Sequence, residues 1–262
     1  MVDFENKVRY DVRDLEKIVE LLRAPGGCPW DAEQTHDSIS RNFIEEVYEV
    51  IEAINEKNPE HLCEELGDVL MQVVFHAGIE KDSDRFSLDD VVDMACKKLI
   101  FRHPHVFGEA KVSTSQEVLS NWEDIKRVEK KQDTVTSSLK AVAESLPALW
   151  RAEKIQKKAS KVGFDWSDHK GAVAALREEL SELEEAIENA SNIEEELGDV
   201  LFAAVNIARF FEIDPETALT KSSDKFISRF SYLEETALKR GLILEHMSLD
   251  DMDELYNEAK RL

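Results

Sequence analysis

Apolar residues recur along this chain at spacings of three and four, the pattern of helices that bury one stripe. Phe43, Val47, Val50, Ile51 and Ile54 form one stripe, and Leu62, Leu66, Val69, Leu70 and Val73 a second. Leu176, Leu180, Leu183 and Ile187 form a third, and Leu197, Val200, Leu201 and Ala204 a fourth. No segment alternates convincingly between apolar and polar residues, as a half-buried strand does. Long stretches also lack glycine and proline, of which the whole chain has nine and six. The expected fold class is all-α, with helices packed as antiparallel hairpins into a bundle. Pro104, within RHPHVFG at residues 102–108, is expected to end a helix. The polar stretch KQDTVTSS at residues 131–138 reads as a linker between two halves.

Those halves resemble each other. Residues 45–49 read EEVYE and residues 178–182 read EELSE, while residues 65–70 and 196–201 both read ELGDVL. KLIFR at residues 98–102 answers KFISR at residues 225–229, and Trp122 with Lys126 and Arg127 answers Tyr256 with Lys260 and Arg261. Four elements in one order, at offsets of 133, 131, 127 and 134 residues, describe an internal duplication. The expected repeats are residues 1–135 and 136–262.

Composition narrows the function. The chain has 262 residues, 42% of them hydrophobic, enough for a real core. Lys and Arg total 33 against 56 Asp and Glu, a formal charge of −23. Such a surface repels nucleic-acid phosphates and has no basic block to offset this, so nucleic acid is not an expected partner. An acidic protein that handles phosphates needs divalent cations as intermediaries. Cys28, Cys63 and Cys96 are too few and too scattered for a disulfide framework or a zinc site. Residues 1–9 hold no apolar signal-peptide core, and no apolar run reaches membrane-spanning length. A soluble cytoplasmic protein with no membrane partner is the expectation.

Most of the acids read as solvated helix faces. The repeated carboxylates differ. Glu179 and Glu182 lie three residues apart on one helix and Glu196 and Asp199 three apart on the next, so each pair occupies one face. Both pairs fall on the shoulder of an apolar stripe and face the partner helix near its edge. Glu46, Glu49, Glu65 and Asp68 do the same in the first half. An antiparallel helix pair then gathers four carboxylates, which repel one another unless a cation neutralises them. Oxygen donors without His or Cys select Mg²⁺, with Mn²⁺ as a substitute, and Mg²⁺ favours phosphate oxygens as its remaining ligands. The pattern implies a phosphate-bearing substrate and metal-assisted hydrolysis. Gly67 and Gly198, inside these motifs, suggest close approach of a helix or a ligand.

ExxE followed by ExxD on the next helix resembles the signature of the MazG and all-α nucleotide pyrophosphohydrolase superfamily. GGCPWDAEQTH (26–36), FRHPHVFG (101–108), SLPALWRAEKIQKKASKVGFDW (145–166) and KFISRF (225–230) extend the likeness to the two-repeat bacterial MazG proteins over nearly the whole chain. The resemblance implies Mg²⁺-dependent hydrolysis of nucleoside triphosphates to monophosphate and pyrophosphate, broad base tolerance and a homodimer. It matches Glu179, Glu182, Glu196 and Asp199 to metal ligands, and Lys225 and Arg229 to residues that reach the triphosphate. Tyr256 falls where a relative places a base-stacking Trp, and Lys260, one turn on, adds a phosphate contact.

Both halves keep the four carboxylates and the Lys/Arg pair. Asn206 and Arg209 follow Asp199, whereas Phe75 and Gly78 follow Asp68, so polar groups for a sugar or phosphate are expected only in the second half. The second repeat is expected to carry the main activity, with the first, including Glu46, Glu49, Glu65 and Asp68, a scaffold or a weak second site. Glu178 is a candidate general base. A house-cleaning hydrolase for a non-canonical nucleotide, or a catalytically weak helical regulatory protein, are the alternatives. His103 and His105 flank a proline and lack a third ligand; Glu33 and His36 form an ExxH without the second copy that a di-iron bundle needs. Trp30 and Trp166 read as core anchors.

Overall fold

A computed structural model describes residues 4–110, 114, 117–118, 125 and 134–261. Among the described residues there are twelve α-helices, one 3₁₀ turn and no strand, as the apolar periodicity predicts. The chain divides into two compact units, Met1–Glu123 and Asp124–Leu262.

The first unit contains α1 (Val12–Arg23), α2 (Pro29–Glu33), α3 (His36–Glu56), α4 (Pro59–Asp82), α5 (Leu88–Arg102) and α6 (Pro104–Phe107). Local chemistry sets the boundaries. Thr35 and Ser38 cap each other's backbone at the start of α3, and Ser87 and Asp90 do so at the start of α5. The reversal between α3 and α4 takes two residues. Lys57 adopts the left-handed conformation (φ 56°), and the Asn58 amide reaches back to the Ala53 carbonyl at 3.2 Å. The Asn58 side chain then accepts from the Glu60 and His61 amides, starting α4. Helices α1, α3, α4 and α5 close a core of Val19, Ile39, Val74, Phe75, Ala77 and Leu88. α5 stops at Arg102, two residues before Pro104, as expected.

The second unit contains α7 (Val135–Lys140), α8 (Ala148–Ser160), α9 (His169–Glu188), α10 (Ile193–Phe210), α11 (Pro215–Lys239), a 3₁₀ turn (Leu244–His246) and α12 (Leu249–Ala259). The α9–α10 hairpin repeats the construction of α3–α4. Ala190 is left-handed (φ 49°), and the Ser191 amide donates to the Ala186 carbonyl at 3.0 Å. α10 packs on α8, and α11 on α8, α10 and α12. The indole N–H of Trp150 donates to Asp214 at 2.8 Å, tying the start of α8 to the cap of α11. Leu233, Ala237 and Leu255 form a core between α11 and α12.

Four expectations change. Residues 135–138 are not linker but the start of α7, because Thr134 and Ser137 form a reciprocal cap; the polar composition is helix-start chemistry. The apolar stripes are not buried within the chain: Ile51 is 36% exposed, Ile54 53% and Ile187 57%. Small or polar residues are buried on the hairpins as well, Ala53, Gln72, Ala186 and Ala203. Each lies seven or four residues beyond a motif carboxylate and so shares its face. The hairpins therefore close on their carboxylate-bearing faces, and small side chains allow that approach. Trp30 and Trp166 are not core anchors either, being 62% and 50% exposed. Trp166 packs over Gly171, where an added Cβ would meet the indole at 3.0 Å. Finally, a Cβ at Gly67 or Gly198 would meet nothing within 4 Å, so no close approach within the chain accounts for either glycine.

Glycine inside a helix costs about 1 kcal/mol relative to alanine. With open space around it, Gly198→Ala should raise unfolding stability by about that amount, measured by denaturant titration of the full-length protein. A loss of stability would reveal a contact that the single chain does not show.

Candidate metal centre

The α9–α10 hairpin brings Glu179, Glu196 and Asp199 together, with one carboxylate oxygen of each within 4.8 Å of the others. In the first repeat the trio is Glu46, Glu49 and Glu65, on α3 and α4, where Glu46 and Glu65 align with Glu179 and Glu196 and Glu49 aligns with Glu182. Antiparallel register explains the grouping, since residues approaching the turn on one helix face those leaving it on the other. Glu182 and Asp68 are the fourth members expected from sequence. Neither joins its trio at that distance, but both act on it electrostatically.

Burial and mutual repulsion raise the affinity of these groups for protons. The Glu179 carboxyl is pushed above its ordinary range first by burial, then by Asp199, Glu182, Glu196 and Glu178. Glu46 is raised by burial and by Asp68, Glu49 and Glu65. Glu65 is raised by burial and by Glu49, with the nearby His61 opposing. Glu65 is also 8% exposed, and its Oε2 has no hydrogen-bond partner. An unpaired carboxylate oxygen at such depth is costly unless a proton or a cation meets it. The all-oxygen donor sets fit a hard divalent cation. Glu178 is exposed on α9 beside Glu179.

A polar contact that the motifs do not advertise meets one member of each trio, a hydrogen bond in the second repeat and an ion pair in the first. The Asn192 amide donates to Glu196 Oε1 at 2.6 Å. In the first repeat His61 Nε2 lies 3.1 Å from Glu65 Oε1, and His61 Nδ1 lies 2.9 Å from Glu56 Oε2. Asn192 and His61 each precede their glutamate by four residues. Aligning the two ELGDVL segments pairs them, which is the signal that sequence alone offered.

Beyond the carboxylates the repeats diverge. Arg209 is not open to a ligand: its guanidinium forms a two-pronged pair with Asp165, at 2.9 and 2.5 Å, and donates to Asn206 Oδ1 at 3.0 and 2.7 Å. Asn206 is half-buried, and the amide nitrogen is the donor it can offer. In the first repeat an arginine from α1 takes the matching place. Arg23 lies over the Phe75 ring, beside Gly78, and donates to the Asp31 carbonyl at 2.8 Å and to Asp82. Both arginines fasten the loop that precedes the ExxE helix. The difference between Phe75/Gly78 and Asn206/Arg209 is thus largely one of scaffolding.

The remaining substrate candidates gather on α11 and α12. Arg229 and Lys260 both approach the Tyr256 ring, at 5.9 and 5.4 Å from its centre, and Phe226 packs against it at 5.8 Å. Lys225 is exposed, one turn before Arg229. A half-buried aromatic ring flanked by two cations suits a base or a phosphate chain. Trp122, Lys126 and Arg127, their counterparts in the first repeat, lie outside the described residues. His36 takes part in a network instead of an ExxH ligand pair. It lies 2.7 Å from His76 Nδ1 and 2.5 Å from Glu80, whose carboxyl Arg85 and His36 hold down at about 2. His103 and His105 touch ring to ring and join no candidate ligand group among the described residues.

Two carboxylate-bearing hairpins in a fold that is all-helical among the described residues agree with the resemblance to the all-α nucleotide pyrophosphohydrolases. The profile of the MazG nucleotide pyrophosphohydrolase domain matches residues 34–107 and 167–233, one segment in each unit. The chain is 47% identical over 247 residues to the nucleoside triphosphate pyrophosphohydrolase/pyrophosphatase MazG of Thermotoga maritima, covering 94% of each chain. It is 42% identical over 249 residues to the nucleoside triphosphate pyrophosphohydrolase of Escherichia coli K12, covering 93% of this chain and 95% of that protein. It is also 49% identical over 260 residues to the uncharacterized protein YabN of Bacillus subtilis, covering 98% of this chain and 53% of that longer one. The chain belongs to the MazG nucleotide pyrophosphohydrolase family.

A carboxyl whose folded pKa is raised favours the fold when protonated; that contribution is full below its unfolded pKa and is lost as pH rises through the folded value. In metal-free buffer, stability of the second unit should therefore fall as pH rises above the ordinary glutamate range. Glu179→Gln, which stays neutral, should flatten that fall and melt above wild type at pH 7. An unchanged pH profile would mean that Glu179 feels no repulsion.

Proposed function

We propose that this protein hydrolyses nucleoside triphosphates, ribo and deoxy, to nucleoside monophosphate and pyrophosphate. Mg²⁺ is the proposed cofactor, with Mn²⁺ able to substitute, and the main site is in the second repeat. The observation that carries this reading is the meeting of Glu179, Glu196 and Asp199 oxygens within 4.8 Å across one hairpin. The names of the relatives from Thermotoga maritima and Escherichia coli support the same reaction.

Glu179, Glu182, Glu196 and Asp199 would hold the cation, with Glu46, Glu49, Glu65 and Asp68 as the possible second set. A divalent cation bound there supplies charge neutralisation at the phosphates and acidifies a water. Lys225, Arg229 and Lys260 offset charge on the triphosphate. Tyr256 stacks on the base, and because every base has a π face this contact tolerates any of them. The Asn206 amide offers a donor to the sugar. Glu178, exposed beside Glu179, accepts the proton of the attacking water.

The exposed stripe of Ile44, Val47, Tyr48, Ile51 and Ile54 on α3, with Leu180 and Ile187 on α9, supports a homodimer. The reaction is assigned to the cytoplasm, where nucleoside triphosphates are pooled. No helix among the described residues is long and apolar enough to cross a membrane.

Pyrophosphate release from the eight common NTPs and dNTPs, with Mg²⁺ and with EDTA, tests the reaction. Release is expected only with Mg²⁺. Glu196→Gln should lower it about 100-fold or more, which is about 3 kcal/mol of lost transition-state stabilisation, and Glu65→Gln should lower it much less. Equal losses would overturn the assignment to the second repeat, and no turnover of any of the eight would overturn broad specificity. Sedimentation equilibrium is expected to give twice the chain mass of 29.9 kDa. Ile51→Asp should shift it toward one; a monomeric wild type would overturn the dimer.

A further inference from the structure

We propose that His61, braced by Glu56, is a positioning residue for a divalent cation in the first repeat, holding Glu65 so that one oxygen faces the cation. The inference rests on the reading of Glu46, Glu49 and Glu65 as a metal-binding set and adds to it the device that keeps the set assembled.

Three observations carry it. First, the two oxygens of Glu65 are used differently. Oε1 meets His61 Nε2 at 3.1 Å, whereas Oε2 is buried without a hydrogen-bond partner. An ion pair at one oxygen of a carboxylate restricts the direction of the other. Second, the imidazole is itself fixed, because its other nitrogen lies 2.9 Å from Glu56 Oε2. The chain Glu56–His61–Glu65 has the form of an outer-shell relay, in which a carboxylate orients a ring and the ring orients a ligand.

Third, the second repeat does the same job with different chemistry. The Asn192 amide holds Glu196 Oε1 at 2.6 Å from the equivalent position. The local backbones there differ. The offset between the repeats shifts from 133 residues at the ExxE helices to 131 at the ExxD helices, so the first repeat carries two extra residues at the turn. As a result His61 lies inside the first turn of α4, with Asn58 already capping that helix, whereas Asn192 is itself the cap residue of α10. Helix capping is therefore not the shared role. What the two residues share is a side-chain nitrogen set against one oxygen of the first glutamate of ELGDVL from one turn before it. A histidine that merely offset local negative charge would do so without a counterpart in a neutral asparagine.

Mn²⁺ binding to the full-length protein, read from the free-Mn²⁺ electron paramagnetic resonance signal, tests this without relying on turnover. The second repeat is silenced with Glu179→Gln, Glu196→Gln and Asp199→Asn, leaving the first to bind. In that background His61→Ala should raise the Mn²⁺ dissociation constant about 10-fold, the lower end of the usual effect of outer-shell partners. His61→Asn, which copies Asn192, should recover most of the affinity. Glu56→Ala, which leaves the ring in place, should give a smaller rise, and it carries the test if His61→Ala lowers the melting temperature in metal-free buffer. An unchanged constant in His61→Ala, or His61→Asn binding as weakly as His61→Ala, overturns the positioning role alone. Absence of Mn²⁺ binding while His61 is intact overturns the metal reading of the first cluster, and this inference with it.

Discussion

Like charge held at close range across a helix hairpin is the constraint around which each repeat is organised. Carboxylates that approach within 4.8 Å in a half-buried seam raise one another's proton affinity and oppose the packing that brings them there. Something must close the hairpin against that repulsion. Part of the answer is local: a left-handed residue at Lys57 or Ala190 turns the chain in two or three positions, and Ala53 and Ala186 let the helices meet just above the acids. The other part lies at the far end, where an arginine fastens the loop leading into the ExxE helix. The acids are thus braced from both sides against their mutual repulsion.

The two repeats reach this arrangement by different residues. Arg209 serves the second from its own ExxD helix, through Asp165; Arg23 serves the first from α1, through the Asp31 carbonyl and Asp82. The guanidinium occupies matching ground, because Gly78 leaves beside α4 the space that the side chain of residue 209 fills beside α10. His61 and Asn192 form a second such pair. Substitution at these points with retention of geometry means that a residue-by-residue comparison of the halves understates their similarity. A missing arginine in one repeat was not a missing arginine in space.

The helices and the duplication could be read from the sequence because they depend on spacing along the chain, whereas of the four carboxylates expected together in each repeat three meet. Glu179 and Asp199 lie on regular helices joined by a short turn, so their meeting follows from period and register. What could not be read depends on which face of a helix finds a neighbour. The stripe Val47–Ile51–Ile54 has the period of a buried face, yet the chain turns Ala53 and the acids inward and leaves that stripe open. Periodicity identifies a sticky face without saying whose surface covers it. Trp30 and Trp166 failed for the same reason. KQDTVTSS failed for another: threonine and serine signal loop and helix start alike, and only the reciprocal bonds of Thr134 and Ser137 decide between them. Arg209 looked available for a phosphate because its partner, Asp165, lies 44 residues away in sequence.

The open stripes and the crowded acids are two sides of the same helices, and this ties assembly to chemistry. On α3 the exposed Ile44, Val47, Tyr48, Ile51 and Ile54 share a helix with Glu46 and Glu49, displaced around its axis. A helix has too little girth for one side to shift without the other: a rotation that buries Ile51 against a partner moves the Glu46 and Glu49 carboxyls relative to α4. A covering surface on the apolar side would therefore act on the acid side as a clamp, opposing the outward push of the carboxylates. Under the proposed function, a cation on one face and a second copy on the other would favour the same closed hairpin, and each would make the other more favourable by the reciprocity that links any two ligands of one conformational state.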